Sequence, residues 1–305
     1  MVRLRSHRPG DKAASKKWNV SSRRRSIYSV VPISYKSQRK VFNHVRLFEI
    51  HEQKWFPQFL RDEFVDQLQM ILDITNTYQP IANLLRRRLH QCGANRVLDL
   101  CSGAGGPWPS LVRDFENSGA EPPEVLLTDK YPCKKMLDSA PARRIHFLSH
   151  SVDATQIPEH LDGFRTLFSS FHHLKPDEAR RLLQDSASRQ LGIAIFEAPA
   201  RRAFTLLSLF FIPIAAWLFV PFRRPFRWSR LIWTYLIPVI PFVLFFDGLV
   251  SCLRAYSPAQ LREMTKGLTN GEYRWEIGEK SGGLLPLRIT YLVGCPGSVF
   301  AESGD

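Results

Sequence analysis

The sequence predicts an α/β domain built on a parallel sheet. Five short apolar segments have the length and composition of buried strands, and segments with helical spacing lie between several of them. A glycine-rich turn follows the first of these strands, in "VLDLCSGAGGPWPSL" at residues 97–111. Near-continuous apolar strands separated by helices are typical of a sheet that is covered on both faces. Ligands of such sheets bind at the carboxyl ends of the strands.

The individual elements follow in order along the chain. A helix is expected over residues 56–76, whose apolar side chains have helical spacing, and a second one from Pro80 to Gly93, because proline near the first turn and glycine at the end are typical helix boundaries. A further helix is expected over residues 176–190. The predicted strands are residues 96–100, 124–129, 144–150, 164–171 and 192–198.

The net charge of +14 is concentrated at the N-terminus. Residues 1–46 contain 13 Lys or Arg and one acid, which leaves 29 basic and 27 acidic residues for the rest of the chain. Few core-forming residues and no sustained period predict a disordered basic tail. Such a tail can lack a specific role, contact anionic lipids, bind nucleic acid or act as a transit peptide. Since the body is nearly neutral, nucleic acid is not the partner that we expect.

The number and spacing of the cysteines argue against disulfide bonds and a structural zinc site. The chain has five, an odd number, and none of them forms a C-x-x-C pair. Neither a disulfide framework nor a structural zinc site is therefore indicated, and a reducing compartment is the simpler inference. We expect no metal site.

The glycine-rich turn does not fit the common nucleotide-binding patterns. A dinucleotide site requires G-x-G-x-x-G, whose third glycine lets the helix pack close to the strand. Gly103 and Gly105 supply the first two glycines, but Trp108 stands at the third position. No G-K-[ST] follows, so a phosphate-binding loop for nucleoside triphosphates is also disfavoured.

The turn resembles instead the first motif of the class I S-adenosylmethionine-dependent methyltransferases, in the form D-x-x-x-G-x-G. Asp99, Gly103 and Gly105 carry this resemblance, and Cys101 replaces the first glycine of the commoner form. The resemblance covers roughly residues 80–200 and resumes at 253–295, where a helix that starts at Ser257 precedes two closing strands. It implies a Rossmann-like sheet that is parallel except for a closing antiparallel strand, and S-adenosylmethionine as the cofactor.

Two further motifs extend the resemblance. Asp129 in "LLTDKYP" matches the acid that the family places on the ribose hydroxyls, and Asp153 in "SVDATQIP", with Val152 beside it, matches the acid near the adenine amino group. The alternative for each aspartate is a helix cap. The resemblance implies a cofactor site made of Asp99, Cys101, Gly103, Gly105, Asp129, Val152 and Asp153.

The segment "FSSFHHL" (168–174) resembles the end of the fourth strand, which borders the methyl acceptor in many members of the family. His172 and His173 are the candidate bases for an acceptor that must lose a proton. In an extended segment neighbouring side chains point to opposite sides, so we expect only one of them to face the pocket. Each could instead be a capping or packed histidine. Further residues could line the acceptor site or serve structure alone: His51, Glu52, Trp55 and Glu197.

Residues 203–252 form a segment that the family's fold does not require. "AFTLLSLFFIPIAAWLFVPF" (203–222) has 20 uncharged residues, about 30 Å as a helix and therefore the thickness of a bilayer core. "LIWTYLIPVIPFVLFF" (231–246) is shorter and contains two prolines. Two full spans would put the arginines of residues 223–230 on the far side, against the positive-inside tendency. We predict a bent re-entrant or interfacial hairpin, with these arginines in the headgroup layer. The alternatives are a soluble apolar lid and a dimer interface.

Together these features predict a membrane-associated methyltransferase that acts on a lipophilic small molecule or lipid, with its catalytic domain on the cytoplasmic side. The alternatives are a non-catalytic member that serves as a membrane adaptor and a nucleic-acid methyltransferase. The predicted organisation is a basic tail (1–46), a helical lid with the first helix (47–94), a cofactor-binding core (95–202), the hairpin (203–252), the C-terminal part of the core (253–297) and a short tail (298–305).

Overall fold

A computed structural model describes residues 47–132, 144–224, 226–268, 273–281 and 287–297. The predicted tails, 1–46 and 298–305, lie outside the described residues. The helices are α1 (Gln58–Thr75), α2 (Ala82–Gln91), α3 (Trp108–Asn117), α4 (Pro176–Ser188), α5 (Ala203–Ser208), α6 (Phe211–Phe219), α7 (Trp228–Leu231), α8 (Val239–Arg254) and α9 (Pro258–Thr265). The strands are β1 (Arg96–Leu100), β2 (Glu124–Thr128), β3 (Ile145–Phe147), β4 (Phe164–Phe168), β5 (Ile193–Glu197), β6 (Tyr273–Ser281) and β7 (Arg288–Pro296).

The seven strands form one sheet in the order β3-β2-β1-β4-β5-β7-β6. Strands β1 to β5 run parallel, and β7 is antiparallel to both β5 and β6. This order confirms the predicted fold class, a parallel sheet with a closing antiparallel strand. The predicted start of α9 is also observed, because the Ser257 side chain accepts a hydrogen bond from the backbone N–H of Gln260 and caps the helix.

The apolar residues of the strands divide between the two faces of the sheet. On β1, Val97 packs with α2 and α3, whereas its neighbour Leu98 packs with α4 and α9. This alternation follows from the two-residue period of a strand. The near-continuous apolar runs in the sequence are therefore explained by a sheet that has a core on each side. Trp108, which excluded the dinucleotide motif, is fully buried in the first of these cores.

The fourth strand is shorter than predicted. β4 ends at Phe168, and a 3₁₀ turn over Phe171–His173 takes the place of the expected extended segment. The side chain of Glu197 explains this ending, since its Oε1 accepts the backbone N–H groups of Ser170 (2.9 Å) and Phe171 (2.8 Å). β3 is also shorter than the predicted 144–150.

The apolar segment forms a helical hairpin that packs on α1. It comprises α5, α6, a 3₁₀ turn (Val220–Phe222), α7, a π-helical turn (Ile232–Leu236) and α8. Phe64 and Met70 of α1 share a core with Ala216, Ile240 and Leu244 of the hairpin. By length and composition, Ala203–Phe222 could cross a membrane, whereas Trp228–Leu236 and Val239–Arg254 are bent by 71° at their junction.

Two of the four arginines in the hairpin's linker contact acids of α1, which differs from the prediction that they lie among lipid headgroups. Arg230 is buried, and its Nη2 lies 2.5 Å from Oδ2 of Asp66 on α1. Arg223 also lies near acids of α1, 3.8 Å from Asp66 and 3.6 Å from Asp73. Because a buried charge requires a partner, Arg230 holds the linker on α1, and the half-buried Arg223 adds a second contact there.

Candidate active site

A cavity of about 490 Å³ lies at the carboxyl ends of the parallel strands. It opens where the strand order reverses between β1 and β4, which is the usual ligand position in such sheets. Its sheet side includes Cys101, Gly103, Asp129 and Asp153. Its hairpin side includes Thr205, Ser208, Leu209, Ile212, Leu244 and Gly248. The cavity therefore joins the predicted cofactor motifs to the hairpin.

The glycine-rich turn between β1 and α3 is held in a left-handed conformation. Gly103 has φ +54°, and Cys101 has φ +57°, which costs a non-glycine residue about 1 kcal/mol or more. Ser102 stabilises the turn, since its N–H donates to the carbonyl of Thr128 (3.0 Å) and its hydroxyl to that of Asp99 (3.0 Å). Cys101 thus adopts the backbone conformation that favours glycine.

Asp129 follows β2 and presents its carboxylate to the cavity. Its Oδ2 accepts the N–H of Gly103 (2.8 Å), and its Oδ1 accepts the N–H of Tyr131 (2.8 Å). These two bonds fix the orientation of the carboxylate and leave a lone pair on each oxygen. A pair of neighbouring hydroxyl donors could bind there.

Asp153 lies beside this position with its own set of partners. Its Oδ2 forms an ion pair with Nζ of Lys130 (2.8 Å), and its Oδ1 accepts the N–H and the hydroxyl of Thr155. Burial raises the pKa of Asp153, but Lys130 and Thr155 outweigh it and hold the pKa below its usual range. Asp153 is therefore an ionised acceptor at the cavity wall.

Three of the predicted cofactor residues are buried and do not line the cavity: Asp99, Gly105 and Val152. The carboxylate of Asp99 lies inside the sheet, where its Oδ1 accepts the hydroxyl of Thr166 on β4 at 2.5 Å. The N–H of Val152 donates to the carbonyl of Asp129 (2.9 Å). Their positions support the turn and the loop that carry the cavity-facing residues.

The other end of the cavity contains a group of ionisable side chains that we call the histidine–carboxylate cluster. It joins the loop before α1, the 3₁₀ turn after β4, the end of β5 and the C-terminal half of α8. Its members are Glu49, His51, Glu52, His172, His173, Glu197, Asp247 and Arg254.

His172 is buried and oriented by Glu197. Its Nδ1 lies 2.5 Å from Oε2 of Glu197, whose other oxygen holds the 3₁₀ turn. Burial lowers the pKa of His172, but the charges of Glu197 and Glu49 outweigh it and raise the pKa to about 10. With no cation beside it, the pairing with these carboxylates favours the protonated form of His172, and its role as a base stays a prediction.

His173 lines the cavity together with His172, and their ring centroids lie 4.3 Å apart. The expectation that only one histidine would face the pocket is wrong, because the 3₁₀ turn places both rings on the same side. Nδ1 of His173 lies 2.6 Å from Oε1 of Glu52. Of the further residues considered for the acceptor site, His51 and Glu52 line the cavity, whereas Glu197 and the 67% exposed Trp55 do not.

Sequence reasoning missed Glu49, Asp247 and Arg254. Asp247 accepts the N–H groups of Ile50 (2.7 Å) and His51 (3.0 Å) and lies 2.8 Å from Nδ1 of His51. Arg254 donates to Oε2 of Glu52 (2.8 Å) and to the carbonyl of His173 (2.8 Å). Asp247 could have been suspected from the sequence, because it is an acid inside an apolar segment. A charge in such a segment is retained only where it has a partner.

No family model and no curated protein matches the sequence. Among solved structures, human N-acetylserotonin methyltransferase in complex with SAM is similar at 12% identity and a TM-score of 0.45, over 79% of this chain and 57% of that one. NcsB1, an O-methyltransferase from neocarzinostatin biosynthesis solved with S-adenosyl-L-homocysteine and 1,4-dihydroxy-2-naphthoic acid, has 14% identity and a TM-score of 0.44, over 77% and 58%. A pericyclic reaction enzyme has 14% identity and a TM-score of 0.38, over 65% and 42%. The chain thus spans about half the length of these three proteins.

The buried carboxyl of Asp99 predicts a pH-dependent stability. Burial raises its pKa from 3.8 to about 7, so the folded state keeps a proton that the unfolded state has lost. The stability that this proton supplies is complete below pH 3.8 and is lost as the pH rises through 7. Between pH 5 and 8, urea unfolding in detergent should show the wild type losing about 2–3 kcal/mol relative to Asp99→Asn. The exposed-site control Asp177→Asn should follow the wild type, and parallel curves for wild type and Asp99→Asn would contradict the assignment.

Proposed function

We propose that the protein is an S-adenosylmethionine-dependent methyltransferase that methylates a lipophilic small molecule at a membrane surface. The single observation that carries this proposal is the composition of the cavity. One end has a left-handed glycine-rich turn and two oriented aspartates, and the other has the histidine–carboxylate cluster beside apolar residues of the hairpin. A polar cofactor and an apolar acceptor could therefore meet inside one cavity.

The donors and acceptors at the sheet end fit the cofactor. The Asp129 carboxylate, already fixed by two N–H groups, suits the two ribose hydroxyls, and Asp153 suits the amino group of the adenine. The left-handed turn at Cys101 and Gly103 lets the backbone come close to the ligand. The bound cofactor supplies an electrophilic methyl group on its sulfonium.

The protein's own residues hold the acceptor in line and exclude water. Leu209, Ile212 and Leu244 form an apolar wall for the acceptor. A hydroxyl acceptor must lose a proton as its oxygen forms the new bond to the methyl carbon. We assign this proton to the pair formed by His173 and Glu52, since both line the cavity and their side chains are in contact.

The surface of the hairpin supports membrane association. Among the described residues, 16 of the 21 exposed large apolar side chains lie between Phe204 and Phe242. A monomeric soluble protein rarely exposes so many of them together. Trp217, Trp228 and Tyr235 are among them, and such side chains favour the membrane interface. Since α1 and the linker bind one another through Arg230, we favour a hairpin that lies in the interface over two full spans.

Cofactor binding is the first test. Calorimetric titration of S-adenosylmethionine into detergent-purified protein should give saturable binding, and Asp129→Asn should weaken it 10- to 100-fold, because hydrogen bonds to a charged carboxylate are lost. Gly103→Val should abolish binding, since it places a branched side chain at φ +54° with its Cβ 3.2 Å from Val65. Asp177→Asn, the same change at an exposed site, should bind like the wild type. A folded wild type that binds no cofactor would overturn the enzyme proposal and favour the membrane-adaptor alternative.

Membrane association should depend on the exposed face of the hairpin. Phe211 and Leu218 are 67% and 60% exposed, and replacing both with serine should lower co-flotation with neutral phosphatidylcholine vesicles at least tenfold, because apolar burial in the bilayer is lost. Leu47→Ser with Ile74→Ser, a matched change outside the hairpin, should leave flotation unchanged. Equal flotation of all three proteins would count against the hairpin as the membrane-binding element.

The lipophilicity of the acceptor can be measured directly. Among phenols that differ only in alkyl chain length, kcat/KM should rise roughly threefold to fourfold per methylene until the apolar wall is filled, as expected from about 0.8 kcal/mol per buried methylene. Leu244→Ala should reduce this increment without changing cofactor affinity. A flat series in an enzyme that methylates the shortest phenol would show that the acceptor site is not apolar.

A further inference from the structure

The histidine–carboxylate cluster contains more negative than fixed positive charge. It has four carboxylates, those of Glu49, Glu52, Glu197 and Asp247. Within the described parts of the chain, Arg254 is the one Lys or Arg in ion-pair contact with them. Buried carboxylates are stable only when their charge is compensated. The remaining compensation must come from protons on the imidazoles or from a cation.

His172 has the arrangement of a metal-binding histidine. Its Nδ1 is bound to Glu197, which in metal sites fixes the tautomer and aims the other ring nitrogen at the ion. Nε2 of His172 makes no hydrogen bond, although the side chain is only 1% exposed. That nitrogen lies 3.5 Å from Oε1 of Glu49. A buried ring nitrogen without a partner, facing a carboxylate, is the observation that points to a ligand between them.

His173 and Glu49 complete a set of three donors. Nδ1 of His173 lies 3.6 Å from Oε2 of Glu49, and it makes no hydrogen bond although Oε1 of Glu52 approaches it to 2.6 Å. The three donor atoms lie within 4.8 Å of one another. Ligands at about 2.0–2.2 Å from a common ion are separated by roughly 3.0–3.5 Å, so the observed spacing needs only a small adjustment.

We propose that Glu49, His172 and His173 bind one divalent first-row transition-metal ion. Two imidazoles and one carboxylate suit Zn²⁺, Fe²⁺ or Co²⁺, whereas Mg²⁺ and Ca²⁺ prefer oxygen ligands. Glu49 is fixed for this role by the hydroxyl of Ser251, 3.1 Å away, and by Arg254. This step rests on the proposed function: an ion held there would lie beside the part of the cavity assigned to the acceptor and would orient the acceptor oxygen. Glu52 of the His173–Glu52 pair would then accept the proton.

A second triad of Glu49, His51 and Asp247 has similar spacing but is a poorer site. Both oxygens of Asp247 already accept backbone N–H groups, from Ile50 and His51, and Oδ2 also contacts the ring of His51. These bonds fold the loop before α1 onto α8. Asp247 is thus a structural partner of the loop, and the ion belongs to the triad that includes His172.

The test uses the full-length protein in detergent, stripped of metal and free of cofactor. Co²⁺ is titrated and followed by its visible absorption and by calorimetry. One equivalent should bind with micromolar or tighter affinity, and Mg²⁺ should not compete at millimolar concentration. Glu49→Gln and His173→Gln should each weaken binding at least 100-fold, and Glu197→Gln, which acts on the orientation of His172, should weaken it 10- to 100-fold.

The controls separate this site from the alternatives. The surface variant His90→Gln should bind like the wild type. Binding that survives Glu49→Gln and His173→Gln, or that is lost in His51→Gln and retained in His173→Gln, would overturn the proposal, as would the absence of stoichiometric binding. Circular dichroism establishes that each variant is folded. Because no cofactor is present, this result is independent of the titration with S-adenosylmethionine, and either proposal can fail alone.

Discussion

The candidate active site depends on the compensation of buried charge. Glu49, Glu197 and Asp247 are each about 2% exposed or less, and an unpaired carboxylate at such a position would cost several kcal/mol. Their partners come from distant parts of the chain: the loop before α1, the turn after β4 and the C-terminal half of α8. Satisfying these charges therefore brings the three segments together at the end of the sheet. The same contacts that neutralise the carboxylates form one wall of the cavity.

This constraint makes the hairpin part of the site as well as a candidate membrane anchor. α8 presents Phe242 to the surface, while Asp247, Ser251 and Arg254, further along the same helix, bind the loop before α1 and the turn after β4. At the other end of the hairpin, Arg230 binds Asp66 of α1. The hairpin thus contacts α1 through Arg230 and the loop before α1 through α8. Any force that positions the hairpin also positions the loop that carries Glu49 and Glu52.

The part of the structure that could be predicted from sequence is the part specified by local patterns. Five strands, the glycine-rich turn at Gly103 and the position of Asp129 directly after the second strand follow from periodicity and from short motifs. The cluster could not be predicted, because Asp247 lies 197 residues from Ile50 and no local pattern joins them. The burial of Asp99 depends on Thr166 of a neighbouring strand, and the early end of β4 depends on Glu197 of another. In each case a long-range hydrogen bond decided the local structure.

The two ends of the cavity therefore differ in how they are constructed. The sheet end, to which we assign the cofactor, uses backbone groups of one turn and carboxylates that follow adjacent strands, an arrangement that parallel strands produce with little help from the rest of the chain. The other end is made by the hairpin, whose α8 contacts the turn after β4 and the loop before α1 through long-range polar contacts. Changes in the hairpin can alter the acceptor wall at Leu209 or Leu244 without touching Asp129 or Gly103. In a protein built this way the residues at the hairpin end can change while those at the sheet end stay the same, which explains why the proposed methyl donor is easier to infer from this chain than the proposed acceptor.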